Sequence, residues 1–262
     1  MLQSGAGQAL LTCCTGQCAV RISEIDIVTG IDGFAVFAHL EVQMIGAVEF
    51  EKRLEKYSEQ MITAPAPESV QEYFHAGRPL MLEIGCGKGQ FIRKKALDNP
   101  EIDYIAIEGQ DTVILRALEK AAEAAGETYG TDVMPNLRFI MAYVDHMSEF
   151  FREGSIDGIY LNFSDPWPKA RHAKRRLTYR DRLMDYCHAL KPGGFIEMKT
   201  DNDGLYDFTL EEIDACGLHI AEQTRDLHSS DFASRYTTTE YEDRFRGTGK
   251  NINYVRIEPP DL

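Results

Sequence analysis

The chain has 262 residues, with 28 Lys and Arg against 42 Asp and Glu and a formal net charge of −14 at pH 7. That length suffices for one large α/β core, and 44% hydrophobic beside 27% charged residues excludes a disordered or fibrous chain. No apolar run reaches the roughly 18–20 residues of a membrane span, no basic segment opens a secretory signal, and the acidity excludes diffuse nucleic-acid binding over the whole surface.

Residues 1–47 carry one cation, Arg21, and three of the six cysteines, Cys13, Cys14 and Cys18. Within them "VRISEIDIV" (20–28) alternates like a strand, and "GIDGFAVF" (30–37) reads as a turn and a second strand. This N-terminal extension receives no function, and an upstream start codon with Met44 as the true start is an equal reading of it. Residues 48–78 read as two leading helices, "VEFEKRLEKYSEQMI" and "ESVQEYFHA", split by "APAP". A core then runs over 79–258. Its expected strands are 79–85, 103–108, 137–144, 156–163, 193–200, 217–225 and 252–258, with helices at 89–98, 111–125, 146–152, 176–190, 203–215 and 238–246. Apolar strands alternating with helices predict a mostly parallel sheet covered on both faces, with its ligand at the carboxyl ends of the strands. The other cysteines, Cys86, Cys187 and Cys216, form no C-x-x-C pair and match no zinc spacing, so no metal is expected. Free thiols in a reducing compartment, the cytoplasm, follow.

"LEIGCGKGQF" (82–91) sets Gly85, Gly87 and Gly89 between a strand and a helix. Glycines there permit a tight turn and a close approach of ligand to backbone. The dinucleotide fingerprint would need a glycine where Gln90 stands, and the P-loop pattern is absent. The G-x-G-x-G form resembles instead the S-adenosylmethionine loop of class I methyltransferases. Glu108 ends the next strand, 19 residues after Gly89, where a carboxylate can accept two hydrogen bonds from ribose hydroxyls; a first-turn helix acid is its plainer reading. Glu83 lies inside a strand, where an unpaired charge is costly unless a cationic group of the ligand meets it.

The end of the fourth strand is the most specific stretch. "NFSDPWPKARHAKRRLT" (162–178), with "KTDN" (199–202) and "TEYEDRF" (239–245) following in order, closely resembles the signature of bacterial tRNA (guanine-N7-)-methyltransferases, the TrmB family. The resemblance covers about residues 79–258. It implies a Rossmann-like class I methyltransferase with a seven-stranded, mostly parallel sheet and helices on both faces. It also implies methyl transfer from S-adenosylmethionine to N7 of the guanosine at position 46, in the variable loop of tRNA, by a monomer or a homodimer. Glu83, Gly85, Gly87, Gly89, Glu108 and Asp165 would face the cofactor. Lys169, Asp201, Thr239, Glu240, Tyr241 and Glu242 would face the substrate, and Asp165 would be the catalytic carboxylate. Two departures stand out. Tyr143, or Asp145 beside it, occupies the place where relatives carry an adenine-contacting aspartate, and the basic segment with which relatives begin is reduced to "EFEKRLEKYSEQMITAP".

Guanine N7 carries a lone pair and no proton, so its methylation needs alignment and a carboxylate to offset developing cationic charge rather than a general base. Between Lys169 and Arg182 there are seven Lys or Arg against one acid, Asp181. Arg171, Lys174, Arg175 and Arg176 in this run are expected to contact RNA phosphates, although a solvated charged face is the plainer reading. Trp167 either stacks on a base or packs under its own loop. Two rival readings remain: a methyltransferase for proteins or small molecules, and a non-catalytic RNA-binding module with a relict cofactor pocket.

Overall fold

The computed structural model describes residues 48–231, 233–239, 242 and 250–259. The strands expected at 20–28 and 30–37, and most of the helix expected over 238–246, lie outside these residues. Contacts divide the chain into Met1–Glu51 and Lys52–Leu262. Among the described residues, no helix is long and apolar enough to cross a membrane, and no cluster of ligating side chains could hold a metal ion.

After helical residues 48–55, designated α1, the core alternates β1 (Leu80–Ile84), α2 (Gln90–Asp98), β2 (Asp103–Glu108), α3 (Asp111–Tyr129), β3 (Leu137–Met141), β4 (Ile156–Asn162), α4 (Arg180–Ala189), β5 (Leu190–Thr200), α5 (Asp203–Cys216), β6 (His219–Thr224) and β7 (Asn253–Glu258). The sheet order is β3-β2-β1-β4-β5-β7-β6, with β7 antiparallel to both of its neighbours. Strand side chains alternate between two layers. On one face Leu82, Ile105, Ile107 and Ile159 pack against Leu183 and Tyr186 of α4 and Leu205 of α5. On the other face Tyr104, Ala106 and Tyr160 pack against Phe91 of α2 and Ile114 and Leu118 of α3. The order reverses between β1 and β4, which opens a crevice at their carboxyl ends.

Four expected helices shorten. The first leading helix is helical only over 48–55, followed by a 3-10 turn at Ser58–Gln60. The segment 68–76 forms only a 3-10 turn, Val70–Tyr73, because Pro67 and Gly77 at φ 85° bound too few residues to sustain a helix. Over 146–152 only Met147–Glu149 is helical; the Met147 amide is drawn instead to Asp185 Oδ2 at 2.6 Å. The helix expected over 176–190 begins at Arg180, with Arg176 and Tyr179 extended. Its start is fixed from another helix, because Glu212 Oε2 on α5 accepts the Arg180 amide at 2.7 Å.

Candidate active site

Strand register brings Glu83 opposite Ala106 of β2 and Tyr160 of β4. Glu83 is 2% exposed and faces the α2 side of the sheet. Asn162 Nδ2, from the end of β4, donates to its Oε1 at 2.8 Å, a bond that spans the crevice between β1 and β4. Oε2 is buried without a full hydrogen bond of its own. Burial pushes the Glu83 pKa up to about 8, against the lowering effects of the Asn162 bond, the Ile92 amide and the Lys199 ammonium. The carboxyl forms one wall of a cavity of about 270 Å3 that Gly85, Gly87, Phe91, Phe163 and Thr239 also line.

Gly85, Gly87 and Gly89 all hold positive φ, at 76°, 57° and 69°. At Gly89 a Cβ would press on Ala117 Cβ at 3.2 Å, so this glycine also lets α2 approach α3. At Gly87 a Cβ would meet nothing within 4 Å, and that open space lies beside the cavity. The turn fastens to β2 through the Gly85 and Cys86 amides, which both donate to Ile107 O at 2.8 and 3.0 Å. Glu108 then accepts the Gly87 amide on Oε2 at 3.0 Å and the Gln110 amide on Oε1 at 2.9 Å. Its carboxylate is thereby fixed at the mouth, with lone pairs left for a ligand.

A second cleft of about 660 Å3 continues from Glu108 past Tyr143 to Asp165, Trp167 and Lys174. Tyr143 is 71% exposed and its ring lies over Gly109, where any Cβ would collide with it. Asp145 lines the same cleft and pairs there with Arg182 Nη2 at 3.4 Å. Both residues in question therefore face the cleft.

Asp165 sits exposed in a loop whose flanks are strained: Phe163 holds φ 51° and Trp167 φ 41°. For residues with a Cβ that conformation costs about 1–3 kcal/mol each and persists only when neighbours enforce it. The neighbours are visible. Lys199 O accepts the Phe163 amide at 2.9 Å. Arg176 donates from Nε to Pro166 O and from Nη2 to Trp167 O, both at 3.0 Å, while its guanidinium stacks on the Phe208 ring at 4.2 Å. Trp167 packs within its own loop, edge-on to His172 at 5.7 Å and beneath the Arg175 guanidinium at 4.9 Å.

The basic run therefore divides. Arg176 holds the loop, Arg180 pairs with Glu212, and Arg182 donates to Val144 O. Lys169, Arg171, Lys174 and Arg175 are exposed, and no carboxylate partners them among the described residues. Asp201 lies 3.7 Å from Lys250 Nζ. Thr239 and Glu242 are buried at 6% and 2% exposure, and Glu242 Oε2 lies 3.3 Å from Lys199 Nζ. Glu240 and Tyr241 lie outside the described residues. Sequence reasoning overlooked Asn162 and Lys199, although both stand in quoted motifs at strand ends, where a polar residue in an apolar run is itself a signal.

A family model described as a putative methyltransferase matches residues 77–255. The tRNA (guanine-N(7)-)-methyltransferase of Lachnoclostridium phytofermentans is 43% identical over 182 residues, covering 70% of this chain and 81% of that one. That of Mesoplasma florum is 46% identical over 183 residues, covering 69% and 81%. The chain belongs to the tRNA (guanine-N7)-methyltransferase family. Its fold is also that of the 16S rRNA methyltransferase KamB, with a TM-score of 0.52 at 12% identity over 74% of this chain and 92% of that one. The methyl donor of the family is S-adenosylmethionine. The family's donor fits the residues present: the half-partnered Glu83 carboxyl suits an ammonium, Glu108 suits vicinal hydroxyls, and the open space at Gly87 admits the ligand against backbone.

Proposed function

We propose that the protein methylates N7 of a guanosine in the variable loop of tRNA. The observation that carries this reading is a pair of adjoining pockets, both lined by Gly85 and Phe163, with two kinds of wall. Glu83, Gly87 and Glu108 form a cofactor side, and Asp165 with the outward cations Lys174 and Arg175 forms the other. S-adenosylmethionine, when bound, supplies an electrophilic methyl group on a sulfonium. Glu83 would hold its ammonium and Glu108 its ribose hydroxyls, and Tyr143 over Gly109 would lie toward its adenine.

Asp165 stands where it can accept hydrogen bonds from the N1–H and 2-amino group of guanine. Its charge offsets the positive charge that spreads into the base as N7 is alkylated. No residue removes a proton from N7, because N7 has none. Lys169, Arg171, Lys174 and Arg175 meet the phosphates, and an otherwise acidic surface confines the RNA to that side.

The test is to incubate the protein with unmodified tRNA and labelled S-adenosylmethionine, then cleave at N7-methylguanosine with borohydride and aniline. Cleavage in the variable loop is the expected result. Label appearing instead in protein or small-molecule acceptors, with intact tRNA, would overturn the reading.

A further inference from the structure

Lys199 is among the largest fully buried side chains, on a strand whose neighbouring residues Ile196 and Met198 are apolar core. Burying an ammonium is costly, and a well-packed methionine in such a place is often as stable as an ion pair or more so. Its contacts indicate what it accomplishes. Nζ donates to Thr237 O at 2.7 Å and meets Glu242 Oε2 at 3.3 Å, with the Phe91 ring 5.5 Å away. Glu242 Oε2 in turn accepts the Thr239 amide at 2.7 Å, and Thr239 Oγ1 accepts the Glu242 amide at 3.1 Å. That reciprocal pair is a capping box. It presents Thr239 to the same cavity that Glu83 and Asn162 line. The backbone of Lys199 completes the arrangement from the other side, because its carbonyl holds the left-handed Phe163 that leads to Asp165.

We propose that Lys199 is a positioning residue that acts through Glu242. It ties Thr237 and Glu242 to β5, so that one lysine sets both Thr239 and the loop that carries Asp165. The resemblance implies substrate contact for Glu242; under this proposal its carboxylate is an internal anchor and Thr239 the group it presents. The proposal rests on the methyl-transfer reading above for its catalytic consequence, but not for the tether itself.

Two variants separate the possibilities. Lys199→Met leaves the Glu242 charge buried and unpaired, so its folding is at risk. Lys199→Met with Glu242→Gln removes both charges and keeps an acceptor for the Thr239 amide. The double variant is expected to melt within a few degrees of wild type. Its kcat is expected to fall about a hundredfold, the effect of a small misplacement at a reacting centre, with little change in the KM for tRNA. Hydrogen exchange at the Thr239 and Glu242 amides, measured on the free protein, should be faster than in wild type. A folded double variant with wild-type kcat and wild-type exchange would overturn the proposal. If wild type itself fails to methylate tRNA, the functional reading fails, while the exchange rates still decide whether Lys199 is the tether.

Discussion

The loop after β1 turns through three glycines at positive φ, whereas the loop after β4 reaches the same crevice through a phenylalanine and a tryptophan at positive φ. The first is a conformation that glycine adopts freely, and it is fastened by backbone bonds to Ile107 and by Glu108. The second is strained and depends on groups far along the chain, Arg176 and Lys199. A site that only binds its ligand can be built the first way. A site that must aim a carboxylate benefits from the second, because the enforcing groups fix its direction. The cofactor wall should therefore tolerate changes beyond its own residues better than the Asp165 loop does.

The largest effect tests the aimed group itself. Asp165→Ala should lower kcat about a thousandfold, as when a preorganised electrostatic partner of the transition state is removed. Calorimetry should show that S-adenosylhomocysteine still binds. Turnover near wild type would remove Asp165 from the chemistry and leave the strained loop without a purpose.

Next comes the enforcement. Arg176→Ala frees Pro166 O and Trp167 O and should cost kcat about a hundredfold, although Arg176 is an inward-facing residue. Arg176→Lys should recover little, since an ammonium cannot bridge two carbonyls as a planar fork does. An effect on the KM for tRNA alone would make Arg176 a phosphate contact and erase the contrast between the two loops.

That residue also marks how far the sequence could be read. The sheet was legible because strand and helix periods alternate from residue 79 onward, and the glycine loop because its spacing is local. The resemblance supplied the family and Asp165. Arg176 stands third in a run of three cations, Lys174, Arg175 and Arg176, and nothing in that spacing distinguishes the one that turns inward. The distinction comes from Phe208 on α5 and from the left-handed Trp167, both of which are tertiary facts. Glu242 is a similar case. Its T-x-x-E spacing is a capping box, but the lysine that makes it an anchor lies 43 residues earlier.

On the cofactor wall the sharpest handle is pH. The folded-state pKa of Glu83 is raised to about 8 from 4.5, so the free protein holds a proton there at neutral pH that the unfolded chain does not. Stability from this group is fully present below about 4.5 and is lost as pH rises through about 8. A cationic ligand group reverses the preference and needs the ionised form. Affinity for S-adenosylhomocysteine should therefore rise by about tenfold or more between pH 6 and pH 8, with proton release on binding. Glu83→Gln should bind more weakly and lose that slope. An unchanged slope in the variant would place the titrating group elsewhere.

The smallest effect belongs to the outermost residues of the strained loop, and it completes the contrast. Lys174 and Arg175 are exposed and, among the described residues, unpaired with acids. Arg175 lies over the Trp167 ring, so its loss also removes a packing contact, whereas Lys174 offers charge alone. Each substitution to alanine should raise the KM for tRNA only severalfold and reduce the slope of log affinity against log salt by about one. Lys174→Ala should leave kcat unchanged, because no bond of the loop depends on it. Arg175→Ala should lower kcat slightly through Trp167. Equal losses of kcat in both would mean that the phosphate contacts, rather than the Arg176 latch, set the direction of Asp165.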